Sequence, residues 1–293
     1  MHLIKGHTGI NEKRKGGITM KWIPPWEGNF PAVKIFGNLY FVGTKPASTH
    51  IIDTGEGLIM FDSGYQHSLY SVIDGMYSVG LNVHDLKYII HTHGHIDHFG
   101  ATRALGELTG AKTFIGEADR QYANGELDLS YARELHMEFN EIFEPDILVN
   151  DGDIIELGNT KIKAVATPGH TPGAMSYFFD VTNGKDTFRA GLHGGMGLNT
   201  LSREFLDKYN LPYTLRDDFK RSMLRLTEEK VDIFLGNHMQ HNHTEEKAEK
   251  VRNGEEYAFV NPDEWEKYNL WCIKNLEKMI EMENENNETK IQF

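Results

Sequence analysis

Residues 91–98 read His91-Thr92-His93-Gly94-His95-Ile96-Asp97-His98 and directly follow the apolar segment Leu86-Lys87-Tyr88-Ile89-Ile90. Four histidines and one aspartate within eight residues predict a metal site, because imidazole nitrogen and carboxylate oxygen are ligands that Zn²⁺ and related transition metals bind readily. Side chains alternate along a strand, so we expect His93 and His95 to point the same way and share one ion. Asp97 and His98, where the chain turns into a helix, could reach a second ion. A histidine-rich surface loop is the alternative, and the spacing and the preceding strand disfavour it.

The amino-acid composition limits the kinds of molecule that this protein is expected to bind. The 293 residues include 43 acidic and 30 basic side chains, which give a formal charge of −13, so the surface should repel polyanions and nucleic acid is not an expected partner. The single cysteine, Cys272, cannot form an intramolecular disulfide and fits a reducing compartment. No run approaches the roughly 18 apolar residues of a membrane span, and the N-terminus shows no apolar signal segment. We therefore expect a cytoplasmic protein that acts on a small molecule and not on a membrane.

The order of the predicted elements indicates two similar halves. Short β-like runs between residues 33 and 62 read as antiparallel hairpins, and a second strand-rich region begins at residue 154; each region is followed by helical patterns. This arrangement predicts an α/β protein with two sheets face to face and helices outside. Residues 1–20 read as a flexible N-terminal arm, with Met20 as a candidate functional start, and residues 281–293 as a polar C-terminal tail. Residues 126–148 read as a lid or insertion that could be helical over 131–143.

Two later segments place a histidine just after a predicted strand. His170 lies in the run Thr167-Pro168-Gly169-His170-Thr171-Pro172-Gly173, and His238 ends the run Leu235-Gly236-Asn237-His238. We expect His170 to be the third ligand of the first ion, which leaves one position open for water, as in catalytic rather than structural zinc sites. His238 would join Asp97 and His98 on the second ion. For His170 the alternative is a histidine that is hydrogen-bonded within a turn.

Together, the His93-x-His95-x-Asp97-His98 run, the Pro-Gly-His170 turn and the post-strand His238 resemble the metallo-β-lactamase superfamily, over roughly residues 33–238. This resemblance implies an αββα sandwich of two mixed β-sheets flanked by helices, with the metal site at one edge between the sheets. It also implies a single catalytic domain over residues 21–280. The aromatic segment 22–30 could be a packed entry loop or an apolar lip over that site.

Residues 188–197, which lie between His170 and His238 in the chain, indicate a subtype within this superfamily. Many superfamily hydrolases place an aspartate there to bridge the metals, and one zinc β-lactamase subclass uses a cysteine. This chain has Phe188-Arg189-Ala190-Gly191-Leu192-His193-Gly194-Gly195-Met196-Gly197 instead, and Cys272 follows His238. The implied ligand set is His93, His95 and His170 on one ion and Asp97, His98 and His238 on the other, which resembles the third β-lactamase subclass. Two features depart from that subclass: no export signal is visible, and His193-Gly194-Gly195 replaces its serine-bearing loop.

Several other side chains have predicted roles in or near the site. His193 is a second catalytic candidate beside Asp97, because it could contact substrate, donate a proton or supply an extra ligand; alternatively it only lines the cleft. His91 is expected to pack or hydrogen-bond behind the site, and His241 and His243 to lie on the surface or rim. Thr92 and Asp62 could fix the imidazoles.

The chemistry that this site predicts is hydrolysis. A metal-bound water has its pKa lowered from 15.7 to about 7, so a zinc-bound hydroxide could attack a carbonyl substrate while Asp97 orients it. We expect two zinc ions, with iron or manganese as alternatives. A β-lactam is one candidate substrate, and a lactone or thioester is another. An iron-dependent oxidoreductase is less favoured because such members keep an acidic residue where Gly191 lies, and a non-catalytic binding module is disfavoured by the two intact ligand triads.

Overall fold

Two β-sheets packed face to face, with helices on both outer sides, make up the architecture. The computed structural model describes residues 28–291. The predicted arm at 1–20 and most of the aromatic segment 22–30 lie outside the described residues. The αββα fold class predicted above is confirmed.

The first sheet comes from the first half of the chain and is mixed. Its strands lie in sequence order: β1 (Val33–Phe36), β2 (Leu39–Phe41), β3 (His50–Asp53), β4 (Leu58–Phe61), β5 (Leu86–Ile90), β6 (Lys112–Gly116) and β7 (Ile147–Val149). Strands β1 to β4 pair antiparallel, as the hairpin pattern predicts. Strands β4 to β7 pair parallel. The carboxyl ends of β4 and β5 therefore meet at one edge of the sheet.

The second sheet has the strand order β12-β11-β10-β9-β8 among the described residues. Its strands are β8 (Ile154–Leu157), β9 (Thr160–Ala166), β10 (Met175–Thr182), β11 (Thr187–Leu192) and β12 (Ile233–Leu235). Only β11 and β12 pair parallel within it, with Leu192 opposite Leu235. The chain therefore leaves both strands at the same edge, where His193 and Gly236 begin the two following loops.

Helices cover the outer face of each sheet. The described helices are α1 (Leu69–Ser78), α2 (Ile96–Phe99), α3 (Thr102–Thr109), α4 (Arg120–Ala123), α5 (Arg203–Lys208), α6 (Thr214–Leu226), α7 (Thr244–Arg252) and α8 (Glu264–Ile291). Helices α1 and α3 pack on the first sheet, and α5, α6 and α8 on the second. In none of these helices are length and apolar character together sufficient to cross a lipid bilayer.

Alternation along the central strands builds two separate cores. Met60 on β4 and Ile89 on β5 face α1 and α3, whereas the next residues, Phe61 and Ile90, face the second sheet. The Phe61 ring stacks on Phe179 with centroids 5.0 Å apart. Because side chains on successive strand positions point to opposite faces, these apolar runs serve both cores at once.

Two sequence-based expectations are wrong. Residues 131–143 form turns and irregular chain rather than a helix, because Tyr131 and His136 adopt left-handed backbone conformations, with φ +68° and +53°, that a right-handed helix cannot contain. The polar tail predicted from residue 281 is instead the last part of α8, which continues to Ile291. Glu283 in this part accepts hydrogen bonds from Arg203 N at 2.7 Å and Arg216 Nη2 at 2.6 Å, so the helix is tied to the rest of the molecule at this position.

Candidate metal centre

His93, His95 and His170 meet at the edge between the two sheets. Each offers one ring nitrogen, and these three atoms lie within 4.8 Å of one another. His93 and His95 lie in the loop after β5, and His170 in the loop after β9. Gly169 has φ +142°, and a Cβ there would meet Phe219 Cβ at 2.4 Å, so glycine is required immediately before His170. All three histidines are buried.

Asp97, His98 and His238 form a second group beside the first. Their ligand atoms also lie within 4.8 Å of one another. Asp97 Oδ2 is 3.2 Å from His98 Nε2 and 3.6 Å from His238 Nε2. Asp97 and His98 belong to α2, at the turn that the sequence predicts, and His238 follows β12. The structure thus brings together all six predicted ligands.

Four of the five predicted histidine ligands form a hydrogen bond through Nδ1, three of them to backbone carbonyls and His98 to Asp62. His93 Nδ1 donates to the Gly194 carbonyl at 2.8 Å, and His170 Nδ1 donates to the Gly197 carbonyl at 2.7 Å. His238 Nδ1 donates to the Pro46 carbonyl at 2.7 Å. A ring whose Nδ1 carries the proton keeps an unprotonated Nε2 for a metal ion. His93 Nε2 is buried with no hydrogen-bond partner among the described residues, so the donor set fits a metal ion that would satisfy it.

Asp62 organises the second group. This buried carboxylate accepts hydrogen bonds from Thr92 N at 2.8 Å, from Thr92 Oγ1 at 2.7 Å and from His98 Nδ1 at 2.8 Å. Asp62 directly follows β4, and its N–H donates to Ile90 at the end of β5. The parallel pairing of β4 and β5 therefore places the carboxylate under the histidine run, in the supporting position that the sequence suggested for Asp62 and Thr92.

The rings of the first ligand group are kept neutral, as metal ligands require, whereas His98 of the second group holds a proton in the metal-free site. Burial lowers the pKa of His170 to about 4, and burial together with His98 lowers the pKa of His93 well below its usual range. Burial opposes ionisation of Asp97, but His98 and His238 lower the pKa of this carboxyl overall. Burial also lowers the pKa of His98, yet Asp97 and Asp62 outweigh it and raise that pKa to about 10. A proton therefore competes with a cation for the position between Asp97 and His98.

His193 occupies a supporting place. It is buried, its Nε2 donates to Asn269 Oδ1 at 3.1 Å, and its Nδ1 accepts from Gly195 N at 3.3 Å. The ring packs beside Trp265 of α8. Burial lowers its pKa to about 3, which keeps the ring neutral. Since both ring nitrogens are engaged by protein groups, we interpret His193 as an anchor of the 193–197 loop, and its catalytic role stays a prediction.

The other histidines near the site differ in burial and in their contacts. His91 is buried, with Nδ1 2.7 Å from the Phe114 carbonyl and Nε2 2.7 Å from Thr102 Oγ1, so it hydrogen-bonds behind the site as expected. His243 is exposed. His241 lies deeper than the predicted rim position, with its ring 5.1 Å from that of His238.

Asp119 is a structural residue of the site that the sequence did not reveal. Its buried carboxylate accepts from Gly94 N at 2.7 Å, Gly173 N at 2.6 Å and Thr171 Oγ1 at 2.5 Å. These donors flank His93, His95 and His170, so one carboxylate joins the two loops that carry the first ligand group. Burial raises its pKa to about 6 although the three hydrogen bonds oppose that rise.

Tyr131 forms a wall of the site from the 126–148 segment. Its ring centroid lies 5.3 Å from that of His95, and its hydroxyl interacts with the side chain of Asn199. Ser130 before it accepts a hydrogen bond from Ile96 N at 2.9 Å. The segment predicted as a lid or insertion is therefore fixed to the helix that carries Asp97 and His98.

Comparison with known proteins identifies similar chains. A family model described as the metallo-β-lactamase superfamily matches residues 42–183. The crystal structure of a subclass B3 metallo-β-lactamase from Bradyrhizobium japonicum superposes with a TM-score of 0.81 at 27% identity. That match covers 89% of this chain and 98% of the other.

Curated relatives match shorter parts. An uncharacterised protein of Aquifex aeolicus is 36% identical over 85 residues, which are 29% of this chain and 39% of that protein. A hydroxyacylglutathione hydrolase of Maricaulis maris is 37% identical over 92 residues, which are 31% of this chain and 28% of that enzyme. The chain thus matches less than half of the length of either relative.

Proposed function

Since this chain belongs to the metallo-β-lactamase superfamily, we propose that it is a metal-dependent hydrolase that cleaves a small carbonyl compound. The observation that carries the proposal is the pair of ligand groups, each with its three donor atoms within 4.8 Å, at one edge of the sandwich. His93, His95 and His170 would hold one ion, and Asp97, His98 and His238 the other. Zinc suits this set of imidazoles and one carboxylate.

The bound metals would polarise the substrate carbonyl and lower the pKa of water. The residues of the chain perform the remaining tasks. Asp97, which lies between the His98 and His238 rings, orients the attacking water and takes up its proton on a carboxylate oxygen. The Gly194, Gly197 and Pro46 carbonyls fix the imidazole rings, so the donor atoms are preorganised for the ions.

We favour a β-lactam-type amide as the substrate because the likeness to the subclass B3 enzyme extends over nearly all of both chains. The loop at 193–197 supports the same choice, since it carries neither an aspartate nor a cysteine to bridge two ions. This absence also weighs against the iron-dependent oxidoreductase alternative. A thioester is the second candidate, favoured by the partial match to a hydroxyacylglutathione hydrolase. A lactone would use the same attack on a carbonyl carbon.

A hydrolysis screen tests the proposal. Purified protein loaded with zinc is assayed with nitrocefin, an acyl-homoserine lactone and S-lactoylglutathione, and metal content is measured in the same samples. We expect turnover of one class and about two zinc ions per chain. The His95→Ala variant should lose that turnover while keeping its far-ultraviolet circular dichroism. Protein that holds two metal ions and hydrolyses none of the three classes would contradict the proposal.

We also propose that the enzyme works in the cytoplasm. Cys272 is the single cysteine of the sequence and is buried within the packing of α8, so the chain forms no intramolecular disulfide, which fits a reducing compartment. Fractionation of cells that express the full chain would test this placement, and recovery outside the cytoplasm would contradict it.

A further inference from the structure

A cavity of about 480 Å³ opens between the loop that precedes α7 and the first turns of α8. Its wall includes His241, His243, Tyr268 and Trp271 together with Asp263 and Lys267. The volume falls within the range of roughly 300–1,000 Å³ that is common for small-molecule sites, and such sites are lined mainly by apolar and aromatic groups. None of the functions assigned above uses this cavity.

A row of aromatic rings joins the cavity to the metal centre. The ring centroids of His238 and His241 are 5.1 Å apart, those of His241 and Tyr268 5.7 Å, and those of Tyr268 and Trp271 5.3 Å. The row begins at a predicted ligand of the second ion and ends at Trp271, which is 55% exposed. His241 of the cavity wall therefore lies directly against His238 of the second ligand group.

The charges in the wall indicate which ligand it would accept. Lys267 Nζ lies 3.0 Å from Asp263 Oδ2, and Glu264 pairs with Lys247. Because each of these charges has an opposite partner, an ionic ligand would gain little there. The faces of Tyr268 and Trp271 offer offset or edge-on contacts to a flat ring.

We propose that this cavity is an aromatic subsite, formed by His241, Tyr268 and Trp271, that binds an uncharged aromatic arm of the substrate. The inference rests on the proposed function and specifies its substrate class: carbonyl compounds whose reacting group carries a flat, neutral arm. The cavity would bind this arm by ring stacking and by burial of its apolar surface. The flat shape of the arm and its lack of charge would therefore matter more than its exact chemical structure.

The first test compares two substrates with the same reacting carbonyl. These are the 2-naphthylacetyl and acetyl thioesters of one thiol, or the 2-naphthylacetyl amide of 6-aminopenicillanic acid and 6-aminopenicillanic acid itself. In the zinc-loaded wild-type enzyme the naphthyl compound should have the higher kcat/KM. The Trp271→Ala variant should lower the ratio of the two kcat/KM values about tenfold, the upper range for an aromatic pair. Trp271→Phe should retain most of the ratio, and Leu270→Ala, an exposed neighbour outside the cavity wall, should leave it unchanged.

A second measurement needs no turnover. Binding of 2-naphthylacetamide is followed by ligand-observed NMR, with the anion 2-naphthylacetate as the charged comparison. Binding of the amide that weakens about tenfold in Trp271→Ala and exceeds that of the anion supports the subsite, even if no carbonyl compound is hydrolysed and the proposed function fails. Equal binding of the amide to the wild type and to Trp271→Ala, or an unchanged kcat/KM ratio in an active enzyme, would overturn it.

Discussion

A single buried aspartate shows how much of the metal centre depends on one residue. Asp62 adopts φ +55°, a left-handed conformation that costs a non-glycine residue about 1–3 kcal/mol. In that conformation its carboxylate reaches both Thr92 and His98. The local strain is offset by three hydrogen bonds, through which the Asp62 carboxylate fixes Thr92 and His98 within the run 91–98.

Replacing Asp62 should therefore weaken metal binding without touching a ligand. We expect Asp62→Ala to lower zinc affinity at the Asp97, His98 and His238 group by about 10- to 100-fold, because His98 loses the carboxylate that orients its ring. Competition with a chromogenic chelator measures this affinity, and Asp62→Asn, which keeps an acceptor oxygen, should give an intermediate value. Wild-type affinity in Asp62→Ala would show that the ring needs no such support.

Asp97 provides the corresponding prediction for turnover. Replacing Asp97 by Asn keeps the shape but removes the charge that orients water and accepts its proton. We expect kcat to fall by about 10²- to 10⁴-fold, the usual range for loss of a positioned base. Steady-state assays with the substrate found in the screen measure the fall, and metal content must be measured in parallel. Activity within a few fold of wild type in fully metal-loaded Asp97→Asn would remove this role.

What could be predicted at this scale was set by side-chain chemistry. The six ligands carry imidazole or carboxylate groups at strand ends, so their types and spacing indicated a site in the sequence. The Gly194 and Gly197 carbonyls that orient His93 and His170 carry no such signal, because any residue has a carbonyl. The catalytic role of His193 stays a prediction. Its contacts with Trp265 and Asn269 of α8 could not be predicted, because these residues lie about 70 positions later in the chain.

At the scale of elements, Asp119 links two loops that belong to different sheets. It lies in the short turn between β6 and α4 and accepts hydrogen bonds from the loop after β5 and the loop after β9. The sequence offered no reason to select it among 43 acidic residues, because its donors are mainly backbone N–H groups distant in the chain.

The raised pKa of Asp119 gives a pH dependence with a definite sign. Between about pH 4 and 6 the folded protein keeps a proton that the unfolded chain has released, so this group's stabilising contribution is full below about pH 4 and is lost as the pH rises through about 6. Asparagine does not titrate. We therefore compare the unfolding free energies of the wild type and of Asp119→Asn. The wild-type value minus the variant value should fall by roughly 2–3 kcal/mol as the pH rises from about 4 through about 6.

Urea unfolding of both proteins at several pH values between 4 and 7 measures this difference. The ligand histidines titrate in both proteins, so their contribution largely cancels. A difference that stays constant between pH 4 and 7 would show that Asp119 has an ordinary pKa in the folded protein.

Helix α8 carries the next prediction. Arg216 is buried, and its guanidinium donates to Glu283 at 2.6 Å and to the Leu201 carbonyl at 2.8 Å. Glu283→Ala would leave this buried charge without its partner, so we expect a loss of about 2–4 kcal/mol of unfolding free energy. Glu281→Ala, at an exposed position on the same helix, should change stability by less than about 0.5 kcal/mol. Similar effects of the two substitutions in urea unfolding would contradict the assigned pair.

This contact also explains why the sequence suggested a tail after residue 280. Residues 281–291 lack apolar periodicity, the usual signal of a packed helix. Glu283 and Asn284 instead accept hydrogen bonds from Arg203 and Arg216, which lie 67–81 residues earlier. Long-range polar contacts of this kind leave no local pattern. The strands, by contrast, were predicted well because their apolar alternation is local.

At the scale of the whole molecule, each ligand group combines residues from both sheets. His93, His95, Asp97 and His98 follow β5 of the first sheet, whereas His170 follows β9 and His238 follows β12 of the second. An ion bound to either group would connect the two halves of the sandwich directly. Stability and metal binding are then linked, since an ion that binds only the folded protein stabilises it by mass action.

Metal removal should accordingly destabilise the fold as well as abolish turnover. At a free zinc concentration about 1,000-fold above Kd, binding contributes about 4 kcal/mol per site, which corresponds to a Tm change of roughly 8–16 °C in a protein of this size. Differential scanning calorimetry with zinc and with excess EDTA measures the change. In a His95→Ala, His238→Ala double variant, where each group has lost a ligand from a different sheet, the two scans should nearly coincide. If EDTA lowers the Tm of the double variant as much as that of the wild type, the stabilisation comes from metal bound elsewhere, and the two ligand groups do not connect the sheets through an ion.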